Sequence, residues 1–168
     1  MTVFETDRLR LRELKPDDAP FVYDLVNDPD WLRFIGDRGV RSLDDARQYI
    51  AKGPMDMYAR IGFGLWLTEL KDATPIGICG LLKRDTLDDV DLGFAFLPAY
   101  RARGYAYEAA AATIAFGRDT LRLRRIVATT AMDNDASGRL LEKLGFRFER
   151  VFQPNGDTRD VKLFAIAL

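Results

Sequence analysis

Histidine is absent from the 168 residues, and cysteine occurs once, at Cys79. Without histidine the chain cannot build a Ser-His-Asp or Cys-His nucleophilic site, and it lacks the commonest zinc ligand, so no metal is expected. A single cysteine permits no internal disulfide, which fits a reducing, cytoplasmic setting. No apolar run reaches the roughly 20 residues that a membrane helix needs. The first eight positions mix acidic and basic residues, so no signal peptide is expected either. An excess of one charge is also missing, with 25 Lys and Arg against 26 Asp and Glu. General nucleic-acid binding rests on a basic excess, so no nucleic-acid partner is expected. What remains is 48% hydrophobic and 30% charged, the balance of a globular protein with a real core. There are no repeats, low-complexity tracts or linkers, and a single domain over residues 1–168 is expected.

The chain is organised around residues 91–116. Leu92, Phe94 and Phe96 alternate with Asp91, Gly93 and Ala95, which is the period of a strand. Pro98 ends it, because proline donates no hydrogen bond to a ladder. From Tyr105 onward Ala106, Ala109, Ala110, Thr113, Ile114 and Phe116 recur at helical spacing. Between strand and helix lies Arg101-Ala102-Arg103-Gly104-Tyr105-Ala106. The first N–H groups of a helix have no partner within it, and the helix dipole attracts anions to that end. Glycine lets a phosphate approach the backbone, and two arginines add charge. The same residues also suit a basic surface turn whose glycine serves only its dihedral angles.

Upstream, Arg8-Leu9-Arg10-Leu11-Arg12 alternates strictly and predicts a strand with one wet, basic face. Asp17 or Asp18 caps a helix running to about Asn27, and Asn27-Asp28-Pro29-Asp30 reads as a turn. Trp31 follows with Phe34 and Ile35; it either lines a substrate mouth or packs helix against sheet. Ser42 begins a second helix with Ala46, Tyr49 and Ile50 as its buried stripe. Gly53-Pro54 is expected to stop that helix and leave residues 55–62 irregular. Strands are predicted from Phe63 to Leu70 and from Ile76 to Lys83, joined as a hairpin, with Cys79 as a small core residue.

Downstream of the central helix, a strand from Arg125 to Ala131 completes a right-handed crossover, parallel or nearly so to the strand at Asp91. A helix from Asp135 to Leu144 ends on Gly145, and strands at Phe146–Phe152 and Val161–Ala167 follow, with Pro154-Asn155-Gly156 in the turn between them. The sum is an α+β fold: a mixed, mainly antiparallel sheet of six or seven strands with helices on both faces.

Three segments carry a family resemblance. Arg101-x-x-Gly104-x-Ala106 matches the (Gln/Arg)-x-x-Gly-x-(Gly/Ala) signature of the GNAT N-acetyltransferase superfamily. Asn134-Asp-Ala-Ser137-Gly-Arg-Leu-Leu141-Glu-Lys143-Leu-Gly145-Phe146 resembles the Asn-x-x-Ser-x-x-x-Leu-x-Lys-x-Gly-Phe segment of its ribosomal-protein N-terminal (alanine) acetyltransferase branch. Glu5-Thr6-Asp7-Arg8-Leu9-Arg10-Leu11-Arg12 is similar to that branch's first strand. The resemblance implies that the strands at 90–97 and 125–131 splay apart to admit the pantetheine arm of acetyl-CoA, the co-substrate. It further implies that the pyrophosphate sits on the backbone from Arg101 through Ala102, Arg103, Gly104 and Tyr105 to Ala106, with the Arg101 and Arg103 side chains near the phosphates. Backbone groups of Phe94, Ala95 and Phe96 would then bond the pantetheine. Asn134 would help bind cofactor or amine, and Ser137 would donate to the leaving thiolate. One departure is Leu141, which stands where many members carry a tyrosine acid; leucine donates no proton, so that duty moves to Ser137 or to solvent.

The base must be a carboxylate, a tyrosine or a relayed water, since no histidine exists. Asp91 is the candidate, because Gly93 and Ala95 on its strand face leave room beside it, and the branch often carries Glu or Asp there. The alternative is an exposed carboxylate paired with nothing. Asn134 and Ser137 are alternatively helix caps. Tyr105 and Tyr107 serve packing or the adenine side, and Glu108 complements the helix N-terminus. The expected activity is direct acetyl transfer to a primary amine, either a protein N-terminus or a small amine, by a monomer or homodimer. A non-catalytic acyl-CoA-binding sensor or scaffold is the alternative.

Overall fold

The computed structural model describes residues 1–154 and 158–168, so the turn expected at Pro154-Asn155-Gly156 falls mostly outside the described residues. The strands are β1 (Thr2–Glu5), β2 (Leu9–Arg12), β3 (Leu65–Leu70), β4 (Pro75–Leu82), β5 (Asp91–Phe96), β6 (Arg125–Ala131), β7 (Arg147–Phe152) and β8 (Val161–Ala167). The helices are α1 (Ala19–Val26), α2 (Pro29–Phe34), α3 (Leu43–Ile50), α4 (Asp56–Ile61), α5 (Tyr105–Asp119) and α6 (Asp135–Leu144). The strands of the described residues form one sheet in the order β1-β2-β3-β4-β5-β6-β8-β7. All its pairs are antiparallel except β5–β6. No helix of the described residues is long and apolar enough to cross a membrane.

Strand alternation gives the sheet two apolar faces. Leu9, Leu11, Trp66, Leu81 and Leu92 point to one and meet Ala109, Ala110 and Ile114 of α5 and Leu141 of α6. Leu67 and Ile78 point to the other and meet Val22, Leu25, Ala46 and Ile50 of α1 and α3. Burying each large aliphatic side chain contributes about 1.5–3 kcal/mol, so both helical layers are fixed to the sheet. Alanines at 109 and 110 let α5 lie close to the strands it crosses. Cys79 sits under α5 with its Sγ 3.5 Å from Thr113 Oγ1. Burial pushes its thiol up to about 12, which leaves it protonated and inert.

Several local expectations are corrected. The sheet has eight strands rather than six or seven, because β1 adds an edge strand to β2. Asn27–Asp30 is not a simple turn: Asp28 accepts from the Asp30 N–H and caps α2, which carries Trp31. Asp18 precedes α1 but makes no side-chain cap to it; its carboxylate takes the Lys15 N–H and the Arg12 guanidinium instead. Gly53-Pro54 does not stop the second helix. Residues Ala51–Met55 form a wide π-type turn that accommodates the proline, and α4 continues to Gly62, which ends it at φ 85°. The other face of β2 is not openly wet, because Arg10 and Arg12 pair with Glu69, a residue only 4% exposed.

Candidate active site

Strand β5 is paired unequally on its two edges. On the β4 side its ladder runs without interruption from Asp91 to Phe96. On the β6 side it makes one parallel pair, Asp91 with Val127, supported by the Val127 N–H donating to Val90 O at 3.0 Å. Strand β6 turns away and pairs with β8 along its whole length. Beyond Asp91, the second edge of β5 therefore faces no strand of the described residues, and its backbone groups need other partners. A cleft of about 1040 Å³ opens along that edge. Gly93, Phe94, Ala95 and Phe96 line it from β5, Thr129 and Thr130 from β6, Asn134, Ser137 and Leu141 from α6, and Trp31 and Phe34 from α2.

At the far end of β5, the loop before α5 curls through Ala102 at φ 59° and Gly104 at φ 82°. The first bond into α5 is the Glu108 N–H to Gly104 O at 3.0 Å. The N–H groups of residues 105–107 precede it and form the donor-rich start of a 15-residue helix, the natural place for an anion. Arg101, Ala102, Gly104, Ala106 and Tyr107 line the cleft there, whereas Arg103 and Tyr105 are not among its lining residues.

The Arg101 side chain is engaged within the fold rather than free to face a phosphate. Its Nε donates to Phe96 O at 2.9 Å and its Nη2 to Asp28 at 2.7 Å, while Nη1 pairs with Asp30. Arg8 does for the outer side of the loop what Arg101 does for the inner. It donates to Arg103 O and to Glu108, and its guanidinium lies 4.4 Å from the centre of the Tyr105 ring. Glu108 also accepts from Thr6, so it ties the β1–β2 turn to α5 beyond complementing the helix end. Tyr107 packs beneath Lys143.

Asp91 stands where β5 and β6 still touch, and it is 1% exposed. Arg84, from the β4–β5 connection, donates Nε to Oδ1 at 3.2 Å and Nη2 to Oδ2 at 2.5 Å. The picture of an exposed, unpaired carboxylate is thereby overturned. Burial pushes its pKa up, and the charges and hydrogen bonds of Arg84, together with Lys83, pull it back; the balance lies above the ordinary carboxylate range. A carboxylate tuned in this direction is better matched to proton abstraction from an amine.

Asn134 caps α6, its Oδ1 accepting from the Ser137 N–H at 3.2 Å. Both residues also line the cleft, so capping does not remove Asn134 from the site. Leu141 is buried behind them. Three lining residues carried no signal in the sequence that would have singled them out for the site: Arg84, Thr129 and Thr130. Trp31 packs in the apolar layer between α1, α3 and the sheet residues Leu67 and Ile78, the packing considered for it, and it also lines the cleft. Its Nε1 and the Thr130 Oγ1 are buried polar atoms with no partner among the described residues.

A helix start rich in free N–H groups, an unpaired strand edge leading from it, and a buried carboxylate at the closed end suit a long anionic amide-containing ligand. Acetyl-CoA has that form. Residues 8–147 match the model of the acetyltransferase (GNAT) domain. YnaD of Bacillus subtilis, an uncharacterized N-acetyltransferase, is 31% identical over 148 residues, 88% of this chain and 84% of that one. The crystal structure of a GNAT-family acetyltransferase from Bacillus anthracis is 27% identical with a TM-score of 0.81, covering 99% of this chain and 98% of that one. The ribosomal-protein-S5-alanine acetyltransferase from Vibrio fischeri, 19% identical over 99% of this chain and 96% of its own, shares the fold with a TM-score of 0.77. The chain belongs to the GNAT acetyltransferase family.

Proposed function

We propose that the protein transfers the acetyl group of acetyl-CoA to a primary amine, either a protein N-terminus or a small amine, by direct attack within one ternary complex. One observation carries this reading: a buried carboxylate, Asp91, sits in the same cleft as the open N-terminus of α5. Bound acetyl-CoA would supply the activated thioester. The backbone from Arg101 through Ala102, Arg103, Gly104 and Tyr105 to Ala106 holds the pyrophosphate, and the free edge at Phe94, Ala95 and Phe96 bonds the amide-bearing arm. Asp91 takes a proton from the acceptor ammonium, which makes the nitrogen nucleophilic. Ser137 donates to the departing thiolate, and Asn134 fixes the start of α6 so that this hydroxyl faces the cleft. With leucine at position 141, no tyrosine acid operates there. The lone, inert thiol fits direct attack without an acyl-enzyme, in a cytoplasmic protein.

A thiol-release assay with acetyl-CoA and an amine panel, read in parallel by mass spectrometry, tests this function. Acetylated amine and free CoA in equal amounts are expected. Tight CoA binding with no thiol release under any amine would leave a sensor or scaffold as the reading.

A further inference from the structure

The reacting end of the cleft contains a residue with a second task. Asp91 lies at the last point where β5 touches β6, and Arg84 meets it with two donors, one to each carboxylate oxygen. This fork fixes the carboxylate plane, which a single point charge would leave free to rotate. Arg84 is itself 41% exposed at its side chain and lines the cleft with Thr86. It therefore reaches inward from the wall and is not sealed in the core. Its loop is anchored from the other side, because Lys83 Nζ donates to the carbonyls of Arg84 and Leu87.

We propose that Arg84 is a positioning residue for the transfer: its guanidinium holds the Asp91 carboxylate in one orientation, with lone pairs outside the fork left for the incoming amine. This inference rests on Asp91 acting as the base. Asp91 takes one proton from the acceptor ammonium, and Arg84 compensates its negative charge until then. As the N–C bond to the acetyl group forms and the C–S bond breaks, the second proton of the nitrogen passes by way of Ser137 to the departing CoA sulfur. Among the described residues, the charges acting on Asp91 are those of Arg84 and Lys83. The strands on either side present apolar groups: Leu81 and Leu82 of β4, and Ile126, Val127 and Ala128 of β6. Arg125, the charged residue nearest along β6, is occupied by Asp89 and Glu149 on the outer surface.

The test compares the full-length wild type with Arg84→Met and Arg84→Lys, measuring kcat, kcat/KM against pH and CoA affinity with one accepted amine. Removing the positive charge disfavours the Asp91 carboxylate, so the Met variant is expected to move the acid limb of kcat/KM to higher pH and to lower kcat by about tenfold or more. The Lys variant keeps the charge and the fold but not the fork. Its acid limb is expected near that of the wild type, with kcat still lowered several-fold. CoA affinity should stay within about twofold in both. A Lys variant with wild-type kcat would overturn the proposal, and so would a folded Met variant whose acid limb does not move. A wild type that binds CoA yet acetylates no amine would overturn the proposed function itself, a distinguishable result.

Discussion

The Arg101 guanidinium donates to Asp28 at 2.7 Å and to the Phe96 carbonyl at 2.9 Å, joining the cap of α2 to the end of β5. Arg101 opens the signature that resembles a phosphate-binding loop, yet its side chain holds the loop in shape from behind. Asp28 is 8% exposed, so losing its partner strands a buried charge. Arg101→Ala is expected to destabilise the fold by about 2 kcal/mol. CoA affinity should fall with it, because the loop and the wall bearing Trp31 lose their common anchor. Chemical denaturation and calorimetric CoA titration on one preparation measure both effects.

Gly104 is a different kind of requirement. At φ 82° a side chain is strained, and an added Cβ would meet the Arg8 guanidinium at 3.2 Å. Gly104→Val also places branched carbon over the N–H groups at the start of α5. CoA affinity is expected to fall at least tenfold, and unfolding free energy by about 1–2 kcal/mol. An unchanged CoA isotherm would remove the phosphate site from that helix end.

Asp91→Asn keeps the shape of the side chain and removes the proposed base. Turnover is expected to drop by about 100-fold or more, with CoA affinity near that of the wild type. The stability effect has the opposite sign. Because the folded value of Asp91 is raised above the ordinary 3.8, its contribution to stability is full below that value and is lost as pH rises through the folded one. Thermal melts at neutral pH should show the Asn variant at least as stable as the wild type, and at acid pH the advantage should disappear.

Glu108 gives the reverse linkage. Burial pushes its pKa up, but the hydrogen bonds from Thr6 and Arg8 outweigh it and leave the group below its ordinary 4.5. The stability it adds is present above that value and is lost as pH falls through the lower folded one. Glu108→Ala is expected to cost about 2 kcal/mol near neutral pH, with the gap to the wild type closing in acid. Denaturant melts across the acid range would show that closure.

Much of this was legible where the signal is local. Pro98 ends β5, Gly145 ends α6 at φ 105°, and the bounds of β6 and α6 follow from periodicity and caps alone. Other features depend on distant pairing. Thr2–Glu5 is too short to declare itself, and it becomes a strand by pairing with β2, its following turn fastened to α5 through Thr6 and Glu108. Gly53-Pro54 reads as a break because proline lacks an N–H, but the wider π-type turn removes the demand for one. The insertion of β8 between β6 and β7 is set by sheet packing, which no local pattern encodes. At the site, Asp91 was visible as a strand residue with small neighbours. Its partner Arg84 was not, because seven residues of an irregular connection carry no spacing rule. Arg101 was visible as a cation, but its acidic partners lie on α2, far away in sequence.

The central question is whether this cleft moves an acetyl group. The most direct measurement incubates the wild-type protein and Asp91→Asn with acetyl-CoA and a panel of peptides and small amines, counting free thiol and acetylated amine together. Equal amounts of both products from the wild type, with near-complete loss in the Asn variant despite unchanged CoA binding, is the predicted result. Equal turnover by the two proteins would contradict the role given to Asp91, and CoA binding without either product would contradict the activity itself.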